Sequence, residues 1–322
     1  MLAAAPEVPT LTEIRSAASA LAPYIVRTPL LRFNAVDGPN EIFLKLENLQ
    51  PIGAFKVRPM GNAVLTADED AMQNGVYTAS SGNAGLGLAW IAQQLGLTAT
   101  IYAPQSAPAA KLDAVRNFGA TVQSLGDDEW WQIIEKGGHP SDPGLYVDAV
   151  RNPAALAGNA TIGLEIVADL PDVDTVIVPF GGGGVACGIA SAIRAVKPDT
   201  RIIVAESDAA TPVTAALEAG RPVSVTMKRS FISGAGAPSV LGEMWPLISE
   251  LVDSTVVSPV PDVADAIRLL FEHNRVVAEG AGAISVAAAL ANRSVTGKTV
   301  CVITGGNIDG NVMAAILRRE EF

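Results

Sequence analysis

Cysteine and histidine are almost missing from this 322-residue chain, which has two of each. The two thiols, Cys187 and Cys301, offer no disulfide framework, and no Cys/His spacing suits zinc. Both sit in apolar stretches (VACGI and TVCVIT), the setting of a buried, inert thiol. Positive charge is scarce too: 22 Lys and Arg stand against 33 Asp and Glu, a net charge of −11. No Lys/Arg run interrupts that balance, so the surface repels phosphate backbones and anionic bilayers and argues against nucleic-acid or membrane partners. No apolar run approaches the ~20 residues of a membrane span. The opening residues, MLAAAPEVPTLTEIR, lack the charged and then apolar segments of a secretory signal, so the cytoplasm is the expected location. Charged residues reach only 17% against 49% hydrophobic, the reverse of a disordered chain.

What is present is length for a large core, in about two domains of ~150 residues each, and a steady alternation of strand and helix patterns. GVYTA (75–79), ATIYAP (99–104), ATVQSL (120–125), DTVIVPF (174–180), RIIVAE (201–206) and KTVCVIT (298–304) read as strands. Between them, 84–96, 107–119 and 185–196 read as helices, the first two closed by Gly96 and Gly119. Near-continuous apolar strands between helices predict an α/β fold with parallel-rich sheets covered by helices on both faces. The polar, Gly/Pro-rich stretch 126–144 marks the end of one α/β unit. Neither flanking segment looks complete alone. Residues 75–150 are therefore expected to form a small α/β domain inserted in a larger one made of 1–74 and 151–322.

Three strand ends run into glycine-rich turns. Gly181 to Gly184 follow one strand and open a helix, where close backbone approach and free N–H groups suit a phosphate. The same loop fits a dinucleotide pattern through Gly181, Gly183 and Ala186, with Glu206 at the next strand end as a ribose acceptor. Ser80-Ser81-Gly82-Asn83-Ala84-Gly85 is a second strand-to-helix loop, able to hold a carboxylate or simply to cap a helix. Thr304-Gly305-Gly306-Asn307 is the third, and its hydroxyl belongs at the crevice where open α/β sheets bind ligands. One shared site for an anionic cofactor and an anionic substrate follows. Lys56, between Phe55 and Val57, is a candidate desolvated amine for carbonyl chemistry.

Taken in order, KLENLQPIGAFKVRP, SSGNAGLG, VRNPAALAGNATIGLEI, GGGGVACGI, AEGAGA and CVITGGNID resemble segments of the pyridoxal-phosphate enzymes of fold type II. These are the tryptophan synthase β-subunit-like enzymes, and the likeness is to their threonine/serine dehydratase and serine racemase group. It spans nearly the whole chain. The resemblance implies that Lys56 carries pyridoxal 5'-phosphate as a Schiff base and moves the α-proton. Gly181, Gly182, Gly183 and Gly184 would hold the phosphate, Asn83 the pyridine 3′-oxygen, and Thr304 would face the pyridine nitrogen. Ser81, Gly82, Asn83 and Ala84 would bind the substrate carboxylate. Ser81 also matches the opposite-face acid/base of the racemases. The implied reaction converts a β-hydroxy amino acid to a 2-oxo acid and ammonia, in a homodimer of the short form without a regulatory domain.

Departures from the family pattern bear on specificity. Ala54 stands where relatives usually have Ser, Ala84 where they have His, and Pro59 where they have Gly. The two alanines predict a roomier, less polar pocket that takes a bulky β-substituent such as that of 3-phenylserine; a plain threonine dehydratase is the alternative. Metal-binding relatives use a glutamate, a carbonyl and an aspartate. Glu206 and Ala210 match the first two, but Pro212 occupies the third place, so weak or no metal binding is expected. Glu279 falls beside the cofactor ring or caps the next helix. Racemisation or β-replacement on the same fold remains the second reading. A nicotinamide-dependent oxidoreductase and a non-catalytic binding protein are remoter ones.

Overall fold

The computed structural model describes residues 5–35, 41–107, 109–291 and 297–320. Residue 108, inside the helix expected over 107–119, lies outside them. Ten strands occur among the described residues: β1 (Leu30–Arg32), β2 (Glu41–Lys45), β3 (Val76–Ala79), β4 (Ala99–Pro104), β5 (Thr121–Leu125), β6 (Leu145–Tyr146), β7 (Thr175–Pro179), β8 (Arg201–Ser207), β9 (Ser254–Ser258) and β10 (Lys298–Val302). They form two sheets. The larger has the order β1-β2-β10-β7-β8-β9, parallel except for the edge strand β1. The smaller has the order β5-β4-β3-β6 and is wholly parallel.

Alternation along the central strands explains their continuous apolar character. Val176, Val178, Ile202, Val204, Val300 and Val302 point into one core of the large sheet. Their neighbours Ile177, Ile203, Ala205 and Cys301 point into a second core on the opposite face. A strand buried on both faces needs apolar residues at every position.

The helices are α1 (Leu11–Leu21), α2 (Val57–Leu65), α3 (Asn83–Leu95), α4 (Ala109–Asn117), α5 (Asp127–Lys136), α6 (Pro153–Asp169), α7 (Gly184–Val196), α8 (Pro212–Ala219), α9 (Trp245–Leu251), α10 (Val260–Leu269), α11 (Gly280–Ala291) and α12 (Gly310–Leu317). On the small sheet, Val76 and Ile101 pack against Leu88 and Ile91 of α3 and against Val57, Met60 and Val64 of α2. Helix α2 also packs on α6 of the large sheet, so the residue at its start lies between the two sheets. That residue is Lys56.

The polar stretch 126–144 is more ordered than its composition suggests. It contains α5, with Asp127, Asp128 and Glu129 in the first turn, Lys136 in the last, and Gly137 closing it at φ 70°. These charges favour the helix dipole. The buried face of α5 is narrow, resting on Ile133 against Tyr77 and Tyr102.

Candidate active site

Lys56 has no side chain capping α2 and is placed instead by the chain before it. The Phe55 N–H donates to the Thr304 carbonyl at 2.9 Å, and Ala54 forms a bridge with Gly305. The lysine segment is thereby laid along the turn after β10. From the other side, Gly87 of α3 passes so close that a Cβ there would stand 2.8 Å from the Lys56 carbonyl oxygen. Burial lowers the Lys56 pKa to about 8, while the carboxylate of Asp148 opposes the shift. Such an amine loses its proton far more readily than a surface lysine.

Two residues further on, Arg58 enters a buried network. Its guanidinium donates to Glu47 at 2.7 and 2.8 Å, to Glu165 at 2.8 and 3.0 Å, and to Thr161 at 2.9 Å. Lys45 completes the set with a 2.5 Å bond to Glu165. Two cations balance two anions, and their bonds tie the start of α2 to β2 and α6.

At the turn before α7, Gly183 takes φ 96°, open to glycine at little cost. A Cβ on Gly182 would meet Val150 at 2.8 Å, and one on Gly181 the Gly234 carbonyl at 2.7 Å. The loop therefore fits only without side chains. Among the described residues, none of the backbone N–H groups from Gly181 to Ala186 donates to a protein acceptor; the first bond of the helix is Cys187 N–H to Gly183. A run of free N–H groups at the positive end of a 13-residue helix is suited to an anion.

The asparagine loop is joined to the same place by its side chain. Asn83 Nδ2 donates to Glu279 at 2.7 Å, and Asn307 Nδ2 donates to Asn83 Oδ1 and to the Ile52 carbonyl, both at 2.9 Å. The N–H groups of Asn83, Ala84 and Gly85 have no acceptor among the described residues, as expected at a helix start. Burial pushes Glu279 up to about 7, against the charge of Lys111 and the bond from Asn83. Ala84 is half-buried against the small-sheet core, and Ser81 is exposed on the rim.

Beside this junction lies a cavity of about 390 Å³. Its polar lining includes Asn83, Lys111, Ser233, Glu279 and Asn307, and its apolar wall is Leu86, Ala114, Phe231, Ile308 and Val312. Of the residues singled out by sequence, Gly82, Asn83, Glu279 and Asn307 reach this lining. Lys56, Thr304 and the glycine loop lie outside its lining. Lys111, Phe231 and Ser233 carried no motif that could have revealed them.

Glu206 is elsewhere engaged. Its carboxylate accepts from the Val213 N–H at 2.7 Å, the Thr214 N–H at 2.9 Å and the Thr214 hydroxyl at 2.7 Å. It caps α8, with Pro212 at the helix start. The oxygens that a metal or a ribose would need are thus committed to the chain itself, and Ala210 is turned back on Ser207. No cluster of three or more metal-ligating side chains occurs among the described residues.

An activatable buried lysine beside glycine-lined helix starts defines a class, and comparison with known proteins supplies it. Residues 21–305 match the family of pyridoxal-phosphate dependent enzymes, so the chain belongs to that family and uses pyridoxal phosphate. It is 38% identical to an L-threonine ammonia-lyase of Thermotoga maritima, over 96% of this chain and 78% of that one. It is 32% identical to a serine racemase of Oryza sativa subsp. indica, covering 93% and 91%. The solved structure of maize serine racemase superposes with a TM-score of 0.89 at 28% identity, covering 97% of this chain and 98% of that one. The two-sheet α/β architecture is that of the fold type II enzymes.

Proposed function

We propose that this protein is a pyridoxal-phosphate-dependent dehydratase that converts a β-hydroxy amino acid to a 2-oxo acid and ammonia. The observation that carries the reading is the desolvated amine of Lys56, its segment bonded to the Thr304 turn and packed against the asparagine-loop helix. Lys56 would hold the cofactor, Gly181 to Gly184 its phosphate, Asn83 its 3′-oxygen, and Thr304 would face its ring nitrogen. When bound, the cofactor supplies an electron sink that lets the α-proton leave. The chain's own part is to place groups. Lys56 takes the α-proton, and the free N–H groups of Asn83, Ala84 and Gly85, with Ser81 and Gly82, hold the carboxylate. The α-hydrogen and β-hydroxyl leave together as water, and hydrolysis of the product then gives the 2-oxo acid and ammonia.

Similarity to an L-threonine ammonia-lyase supports elimination. Racemisation is the second reading, supported by the serine racemase likeness, and it requires a second base on the opposite face. The matching residue, Ser81, is exposed and lines the neighbouring hollow with Trp130 and Trp131. The apolar wall of the cavity supports a bulky β-substituent, since Leu86, Phe231, Ile308 and Val312 offer an aryl group burial without unpaired polar atoms. We further take the protein to be a cytoplasmic homodimer; no described helix is long and apolar enough to cross a membrane. A screen of 2-oxo acid release from serine, threonine and 3-phenylserine tests the function. Release from 3-phenylserine at the highest kcat/KM is expected. Strict preference for threonine would remove the bulky-pocket part, and no release from any would overturn the dehydratase.

A further inference from the structure

Lys111 is in an unusual position for a cation. It projects from α4, on the small sheet, into the cavity and is the only Lys or Arg among the described residues lining it. The other cavity charges are acidic, Glu279 and Asp309. Lys45, Arg58, Arg151, Arg194 and Lys298 all have a carboxylate within ion-pair distance, but Lys111 has none among the described residues. Its ammonium instead donates to the Ser233 hydroxyl at 3.2 Å. It also stands 4.0 Å from where a Cβ on Gly82 would lie, immediately beside the start of α3.

A carboxylate entering this cavity meets the acidic side chains of Glu279 and Asp309 as well as Lys111. The start of α3 offers only about half a positive charge through its dipole. A full cation at that point, held by a neutral hydroxyl, has a partner that an incoming anion can outcompete. We propose that Lys111 is a substrate-binding residue, its ammonium leaving Ser233 to pair with the α-carboxylate seated at the start of α3. This rests on the dehydratase reading, which assigns that helix start to the substrate carboxylate.

The test uses cofactor-loaded protein and two probes that lack a β-leaving group: L-alanine, and L-alaninol, which has no carboxylate. Binding is read from the change each produces in the visible absorption band. Loss of one charge-assisted hydrogen bond should weaken L-alanine about 10- to 100-fold in Lys111→Met and leave L-alaninol within about twofold. Lys111→Arg should restore most of the affinity. In turnover, KM for the accepted β-hydroxy amino acid should rise in the Met variant far more than kcat falls. Unchanged L-alanine binding in Lys111→Met would overturn the proposal, as would equal weakening of both probes. Loss confined to substrates with a second acidic group would also overturn it, since Lys111 would then read the side chain. Because Lys111→Met could disturb loading, salt titration of the wild type provides a second measurement; L-alanine binding that ignores ionic strength would count against the ion pair. A wild type with no visible band would overturn the cofactor reading as well, which separates that failure from a defect limited to Lys111.

Discussion

Replacing Arg58 by Met should show how much the network behind Lys56 contributes. Arg58 and Glu47 are fully buried, and the guanidinium binds both Glu47 and Glu165. Removing it deletes those bonds and leaves Lys45 alone to balance two carboxylates. Breaking a buried pair from one side costs about 3–5 kcal/mol. For 322 residues this corresponds to an apparent Tm lower by about 4–7 °C, measured at fixed, saturating cofactor. The pH dependence gives the sharper sign. Burial raises the Glu47 pKa, but the charge and hydrogen bonds of Arg58, with Lys45 and Thr28, outweigh it and hold the group below its ordinary value of 4.5. A depressed carboxylate stabilises the fold above its unfolded pKa and loses that contribution as pH falls through the folded value. Without Arg58, burial dominates and Glu47 favours its proton, so the deficit of the variant should shrink between pH 8 and pH 5. Adding Glu47→Gln should recover at least half of the loss at pH 8, because the remaining Lys45–Glu165 pair is neutral. Thermal melts of wild type and the two variants across that range provide the assay. A deficit below about 1 kcal/mol, the value of a surface pair, or one that grows as pH falls, would refute the account.

Other outcomes follow from single contacts. Lys56→Ala should abolish turnover and the borohydride-sensitive visible band while leaving the fold intact by circular dichroism. Gly188→Ala should destabilise by about 1–3 kcal/mol in denaturant unfolding, an overpacking cost, because its Cβ would stand 2.5 Å from Asn159 Cβ where α6 and α7 cross. Glu206→Ala should cost about 1–2 kcal/mol through the lost helix cap, and chelators should leave wild-type activity unchanged. For Glu279, with a folded pKa of about 7 against the ordinary 4.5, the native state binds the extra proton. Its contribution should therefore fall as pH rises from about 4.5 to 7, and the Tm difference between wild type and Glu279→Gln should track that window.

Much of this site could be read from the chain because its chemistry depends on local backbone features. Gly181 to Gly184 are legible because no side chain fits between Val150 and Gly234, so the need for glycine is written into the sequence. Strands β7, β8 and β10 are legible for the same kind of reason: both faces are buried, and every position is apolar. Lys111 is different. Nothing in an ordinary helix such as AAKLDAVRN records that its third residue will face Ser233, 122 positions away. Glu206 shows the converse: its place at a strand end was evident, but the turn of the chain that brings Val213 and Thr214 onto its oxygens was not. Helix α5 was hidden because only a thin apolar face distinguishes it from a polar loop.

The two glycine-rich helix starts belong to different sheets. Helix α7, with the glycine loop, covers the large sheet, while α3, with the asparagine loop, covers the small one. On the proposed reading, the cofactor phosphate and the substrate carboxylate would be anchored on opposite halves, with Lys56 between them at the start of α2. The polar contacts around the cavity are also the bonds that join those halves: Asn83 to Glu279 at 2.7 Å, Asn307 to Asn83 at 2.9 Å and Lys111 to Ser233 at 3.2 Å. A carboxylate that draws Lys111 from Ser233 exchanges a direct bond between the halves for one that stays on the small-sheet side. Asn83, whose Oδ1 and Nδ2 are both held by large-sheet residues, keeps the junction closed during that exchange. On the proposed reading, substrate would change partners at the rim without loosening the contacts that position Lys56.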